Sequence, residues 1–133
     1  MRKILHCGAA ICLGALLAGC GPPGPETYEV SGEVTFDGQP VAEGRIVFRA
    51  AEGSAASWAG DIKDGRYALA ATAGKKRVEI TATRQVQTAQ DSPSGQGAFT
   101  FESYIPPKYN SQSELTVEVT PEGPNEFNFP LEP

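Results

Sequence analysis

Tyr28-Glu29-Val30-Ser31-Gly32-Glu33-Val34-Thr35-Phe36-Asp37-Gly38 is the stretch that decides the fold. Tyr28, Val30, Val34 and Phe36 fall on one side of an extended chain, and Glu29, Ser31, Glu33 and Thr35 fall on the other. A period of two with one dry face marks a strand whose opposite face meets water. The stretch ends in Asp-Gly, a pair tolerant of the positive φ that a tight hairpin requires. The same grammar recurs downstream. Val78, Ile80 and Ala82 alternate with Glu79, Thr81 and Thr83. Leu115, Val117 and Val119 alternate with Thr116, Glu118 and Thr120, and Phe127, Phe129 and Leu131 with Glu126, Asn128 and Pro130. Shorter strands fit 45–49, 57–62 and 66–70. Asp64-Gly65, Gly74 and Pro121-Glu122-Gly123-Pro124 supply turns between them. No window from Tyr28 onward holds helical periodicity. The pattern predicts an all-β fold, an antiparallel two-sheet sandwich of about seven strands around Val, Ile, Leu and Phe.

Val30-Ser31-Gly32-Glu33-Val34, then Asp37-Gly38-Gln39-Pro40-Val41, then Ile46-Val47-Phe48 resembles the opening of a carboxypeptidase regulatory-like domain. The likeness continues in Asp64-Gly65-Arg66-Tyr67-Ala68-Leu69, similar to that family's Asp-Gly-x-aromatic hairpin, and covers roughly residues 28–84. Lys76 stands where the family carries an aromatic residue, and Gly44 where a small Ala is usual. The resemblance implies a transthyretin-like (prealbumin-like) sandwich. Tyr104-Ile105-Pro106-Pro107-Lys108-Tyr109-Asn110 and the last strands resemble the ends of short bacterial lipoproteins built on this domain. The family name records a domain that accompanies peptidases and implies no peptidase activity here.

The first residues read differently. Arg2-Lys3 precedes an apolar run from Ile4 to Leu17, broken by His6 and glycines, and small residues follow. That is the layout of a secretory signal peptide. A membrane span needs about 20 apolar residues, and this run is shorter. Leu17-Ala18-Gly19-Cys20 resembles the lipobox of bacterial lipoproteins. The resemblance implies a diacylglyceryl group on the Cys20 thiol and a cut between Gly19 and Cys20. One acyl chain holds a protein only marginally at about 0.8 kcal/mol per buried CH₂, whereas two or three make release very slow. The expected organisation is a signal peptide at 1–19, a lipidated Cys and Pro/Gly tether at 20–27, and the sandwich at 28–133. At about 3.1 Å per residue the tether spans roughly 20 Å. Gly21, in place of an Asp after the Cys, slightly favours the outer membrane over the inner.

Loss of residues 1–19 leaves 114 residues and takes two basic side chains away, so a net charge of −5 becomes −7. Such a surface disfavours nucleic acid as a partner. His6, the sole histidine, leaves with the leader, as do Cys7 and Cys12. The mature chain then has no imidazole and no free thiol, which removes His-dependent triads, cysteine nucleophiles and the usual zinc sites. No cofactor and no metal are expected. Asp61 and Asp64 read as a solvated acid and a turn residue in preference to calcium ligands. Trp58 reads as core, and Lys75-Lys76-Arg77 as a solvated strand start. Tyr104, Lys108 and Tyr109 form a candidate binding surface, an aromatic and cationic edge able to stack on sugars. The competing reading is a proline-stiffened edge whose tyrosines cover the end of the sheet. Gln85 to Ala98 is polar and Gly-containing, and is expected to be a mobile loop. The leading expectation is a non-catalytic, lipid-anchored envelope protein with a structural, adhesive or binding role, its partner an envelope protein or glycan. A small glycan- or peptide-binding module is the alternative, and an enzyme is not expected.

Overall fold

In the computed structural model, which describes residues 19, 21–88 and 98–133, the chain is all-β. Ten strands occur among the described residues: β1 (Thr27–Phe36), β2 (Gln39–Pro40), β3 (Glu43–Ala50), β4 (Ser57–Lys63), β5 (Arg66–Thr72), β6 (Gly74–Thr88), β7 (Ala98–Ser103), β8 (Thr116–Val119), β9 (Asn125–Glu126) and β10 (Phe129–Leu131). Their order is β10-β1-β5-β4-β3-β6-β7, with β2 and β9 also on β1 and β8 on β6. Neighbours are antiparallel except β9 and β10, which run parallel to β1.

Both Asp-Gly turns take the geometry their residues allow. Asp37 and Gly38 lie at φ 50° and 77°, Asp64 and Gly65 at 51° and 77°. Two successive left-handed residues match the right-handed twist of the flanking strands.

The alternating apolar residues meet in one core. Val30 and Val34 of β1, Ile46 and Phe48 of β3, Ile62 of β4, Val78, Ile80 and Ala82 of β6, and Phe129 and Leu131 of β10 are all buried together. Phe48 lies 6.2 Å from Tyr67 on β5 and 6.4 Å from Phe127 before β10, measured between ring centres. Strands distant in the order touch, so the sheet curls over its own apolar face. Gly32 is what lets the C-terminal segment close that curl. A Cβ there would sit 1.8 Å from the Phe127 carbonyl oxygen, and Phe127 donates its N–H to the Ser31 carbonyl at 2.9 Å.

Along one edge of β6 the partner strand is interrupted between β7 and β8, where Pro106 and Pro107 cannot donate hydrogen bonds. Side chains take over. Asn110 donates from Nδ2 to the Ile80 carbonyl at 3.4 Å, and the Ser113 hydroxyl donates to the Val78 carbonyl. Those two carbonyls are thereby satisfied without a ladder.

Two expectations are corrected. Gln85–Thr88 belongs to β6 and Ala98 to β7, so the span expected as a mobile loop is strand at both ends; residues 89–97 lie outside the described residues. Lys76 is not a solvated residue. It is 3 % exposed, because it shares strand parity with Val78 and Ile80 and therefore points inward. Its amine donates to the Ala73 carbonyl at 3.1 Å and lies 4.8 Å from the Trp58 ring centre. Trp58 itself packs half-buried against the core, as expected.

Burial holds the Lys76 amine below its ordinary pKa of 10.5. Between the lowered value and 10.5 the unfolded chain binds the proton that the folded chain releases, so stability rises with pH across that window. Lys76→Met keeps the volume and removes the buried charge. It is expected to stabilise the domain by about 1 kcal/mol at pH 7 and to abolish the rise towards pH 10.5. Denaturant unfolding at the two pH values checks this; a less stable variant would mean that the contacts to Ala73 and Trp58 outweigh desolvation.

Candidate functional site

A groove of about 740 Å³ is lined by Phe36, Asp37, Glu43, Lys63, Arg84 and Tyr104, among others. Unequal strand lengths create it. β3 pairs with β6 only as far as Gly44 opposite Ala82, and β6 then runs on to Thr88 with β7 on its other edge. Thr83, Arg84 and Gln85 consequently flank open space on the side that β3 vacates. The Asp37-Gly38 hairpin tip and the end of β4 wall that space. Its position in the fold follows from β1, which begins just after the Pro/Gly stretch at 21–25, with Thr27 opposite Thr72, and ends at Phe36 in the groove. Ten residues of strand at about 3.3 Å each separate the two ends.

Within the groove, Tyr104 stands edge-on to Phe36, ring centres 5.5 Å apart and planes at 69°. The Arg84 guanidinium carbon lies 5.6 Å from the Tyr104 ring centre, and its Nη2 pairs with a Glu102 carboxylate oxygen at 3.2 Å. Burial pushes the Tyr104 hydroxyl up in pKa, with the Arg84 charge opposing. The phenol is therefore a neutral hydrogen-bond donor at physiological pH. Asp37, Glu43 and Asp64 offer acceptors, and Lys63 and Arg84 offer charged donors. An aromatic ring flanked by both kinds of polar group suits recognition of a polar chain.

The residues expected to form a binding surface are divided by the structure. Tyr104 lines the groove. Lys108 and Tyr109 are not part of its lining and instead hold the C-terminus. The Lys108 amine donates to the Pro133 carbonyl at 3.2 Å and lies 5.0 Å from the Tyr109 ring centre, while the Tyr109 hydroxyl accepts the Glu132 N–H at 3.0 Å. Gly19 is exposed, and Cys20 lies outside the described residues. Asp61 faces Arg45 across β3 and β4, 3.9 Å apart at the surface, and Asp64 sits in its turn. Among the described residues no three His, Cys, Asp or Glu side chains cluster to hold a metal.

Phe36 and Arg84 were not singled out from sequence. For Arg84 a signal existed: Ala82, Arg84 and Val86 prolong the parity of Val78 and Ile80 beyond the expected strand. For Phe36 as a groove residue there was none, because its partner Tyr104 is 68 positions away.

Fold and groove together define the class: an all-β domain with a mixed aromatic and polar cleft at one end. The chain matches no family model, no curated protein and no solved structure, so no family is attached to that description.

Proposed function

We propose that this is a lipid-anchored bacterial envelope protein whose exported part is a non-catalytic, transthyretin-like β-sandwich that binds a polar extended ligand, a glycan or peptide, in the groove around Tyr104. The observation that carries the reading is the placement of tether and groove at opposite ends of β1. A domain held at Cys20 would present the cleft away from its own membrane. The lipobox-like Leu17-Ala18-Gly19-Cys20 supports the anchor. The weak seam between β4 and β5, which share one register pair at Lys63 and Arg66, supports two packed sheets within the curl. Phe48 bridging to Tyr67 and Phe127 is the contact expected across such a sandwich.

The test is an array of envelope glycans and extended peptides probed with the detergent-purified protein. Capture is expected, and Tyr104→Ala should weaken it by roughly tenfold or more, as should Arg84→Gln at an exposed position. Lys108→Ala, outside the groove, should leave it within about twofold. No capture of any probe, or equal losses at Tyr104 and Lys108, would overturn the groove as the site.

A further inference from the structure

β7 reads Ala98-Phe99-Thr100-Phe101-Glu102-Ser103, and its two phenylalanines are the large apolar side chains left exposed among the described residues, at 62 % and 74 %. Both stand on the same face. Phe99 lies opposite Gln87 and Phe101 opposite Gln85, residues of the parity turned away from the buried Ile80 and Ala82. β7 ends the strand order, with β6 as its one strand neighbour among the described residues. An edge strand that exposes apolar rings invites pairing, and it lacks the proline, bulge or lysine that usually blunts such an edge.

The side-chain pattern selects the occupant. Phe-Thr-Phe is a palindrome about Thr100. Two copies of β7 paired antiparallel around a two-fold axis at Thr100, normal to the sheet, would place Phe99 of each copy opposite Phe101 of the other. All four rings then share one face, as two cross-strand aromatic pairs. A parallel pairing of the same edges turns one copy over and puts its rings on the opposite face, so it gains no such contact. The same residues serve on both sides, as a two-fold interface requires.

We propose that β7 is a homotypic pairing edge through which two copies of this chain join antiparallel, centred on Thr100. The axis that makes the pairing antiparallel also inverts one copy relative to the other. The β6 start at Gly74 adjoins β5, whose Thr72 lies beside Thr27 at the tether, whereas β7 lies at the far end of β6. The two tethers therefore point in opposite directions, each about twelve residues of strand, roughly 40 Å, from the axis. Copies anchored on one surface do not satisfy this arrangement, and copies on two facing surfaces do. Joining facing surfaces rests on the proposed anchor; the strand pairing itself does not. Two six-residue strands make a small contact beside the roughly 1,200–2,000 Å² of a stable interface, so the join is reversible and strengthens with the number of copies displayed.

Photo-cross-linking tests it in pelleted vesicles that carry the full chain, so that surfaces bearing it face one another, with p-benzoylphenylalanine replacing Phe99. The expected product is an adduct of twice the chain mass, mapped to residues 100–102 of the second copy, and reduced at least tenfold by Phe101→Ser. Both positions are exposed, so unchanged melting of Phe101→Ser confirms that the loss is not unfolding. An adduct with a different polypeptide, with lipid alone or within one chain would overturn the proposal. A self-adduct mapped near the tether, at residues 21–30, would overturn the inverted arrangement. The readout does not depend on ligand capture by the groove, so this proposal and the groove reading fail separately.

Discussion

Ile80→Asp leaves the domain unfolded at neutral pH. Ile80 is 0 % exposed, faces Ile46 across β3 and β6, and lies between Val78 and Ala82 on the same inward parity. Removing the branched side chain from a packed core costs about 2–5 kcal/mol in lost burial and cavity formation. An ionised carboxylate there would lie among buried apolar side chains, and its desolvation costs several kcal/mol more. The sum reaches the roughly 5–15 kcal/mol that holds a typical domain together. Far-UV circular dichroism should show no cooperative melt for Ile80→Asp. Thr81→Asp, one residue along and exposed, should melt close to the unsubstituted protein. A variant at 80 that melts normally would mean that the inward register of β6 is wrong.

If Cys20 carries the proposed anchor, Cys20→Ala is expected to abolish lipid incorporation outright. The thiol is the nucleophile from which a stable thioether to diacylglycerol would be made, and an alanine methyl offers nothing in its place. Two or three acyl chains at about 0.8 kcal/mol per buried CH₂ separate a protein that stays with its membrane from one that does not. Metabolic labelling with palmitate should give a labelled band for the unsubstituted chain and background for Cys20→Ala. The variant should also migrate as the larger, uncut precursor. Normal labelling of the variant would remove the anchor and, with it, the outward-facing groove. The strand pairing at β7 would stand unaffected.

The strands of the core were legible because each is announced by its own residues. Val30 and Val34, Val78 and Ile80, and Phe129 and Leu131 carry the alternation locally, and Asp37-Gly38 and Asp64-Gly65 announce their turns. β7 was missed although Phe99-Thr100-Phe101 alternates as a strand does; its neighbours are polar and Gly-containing, and neither ring reaches the core to confirm it. Lys76 is buried despite its charged neighbours. Its parity already placed it inside with Val78 and Ile80, but the neighbouring Lys75 and Arg77 made the whole triplet look solvated. Here parity outweighed charge, because the inward turn at residue 76 offered the Ala73 carbonyl and the Trp58 ring as partners.

The sequence by itself determined the all-β class, the turn positions, the dry face of each core strand and the candidate lipid-bearing Cys20, since these depend on residues near one another along the chain. The groove, the division of Tyr104 from Lys108 and Tyr109, and the exposed edge of β7 were decided only by tertiary structure. They arise from how far β6 outruns β3, and from where the C-terminal segment crosses Gly32. Such quantities are set by pairing between distant strands, and no local pattern of side chains records them.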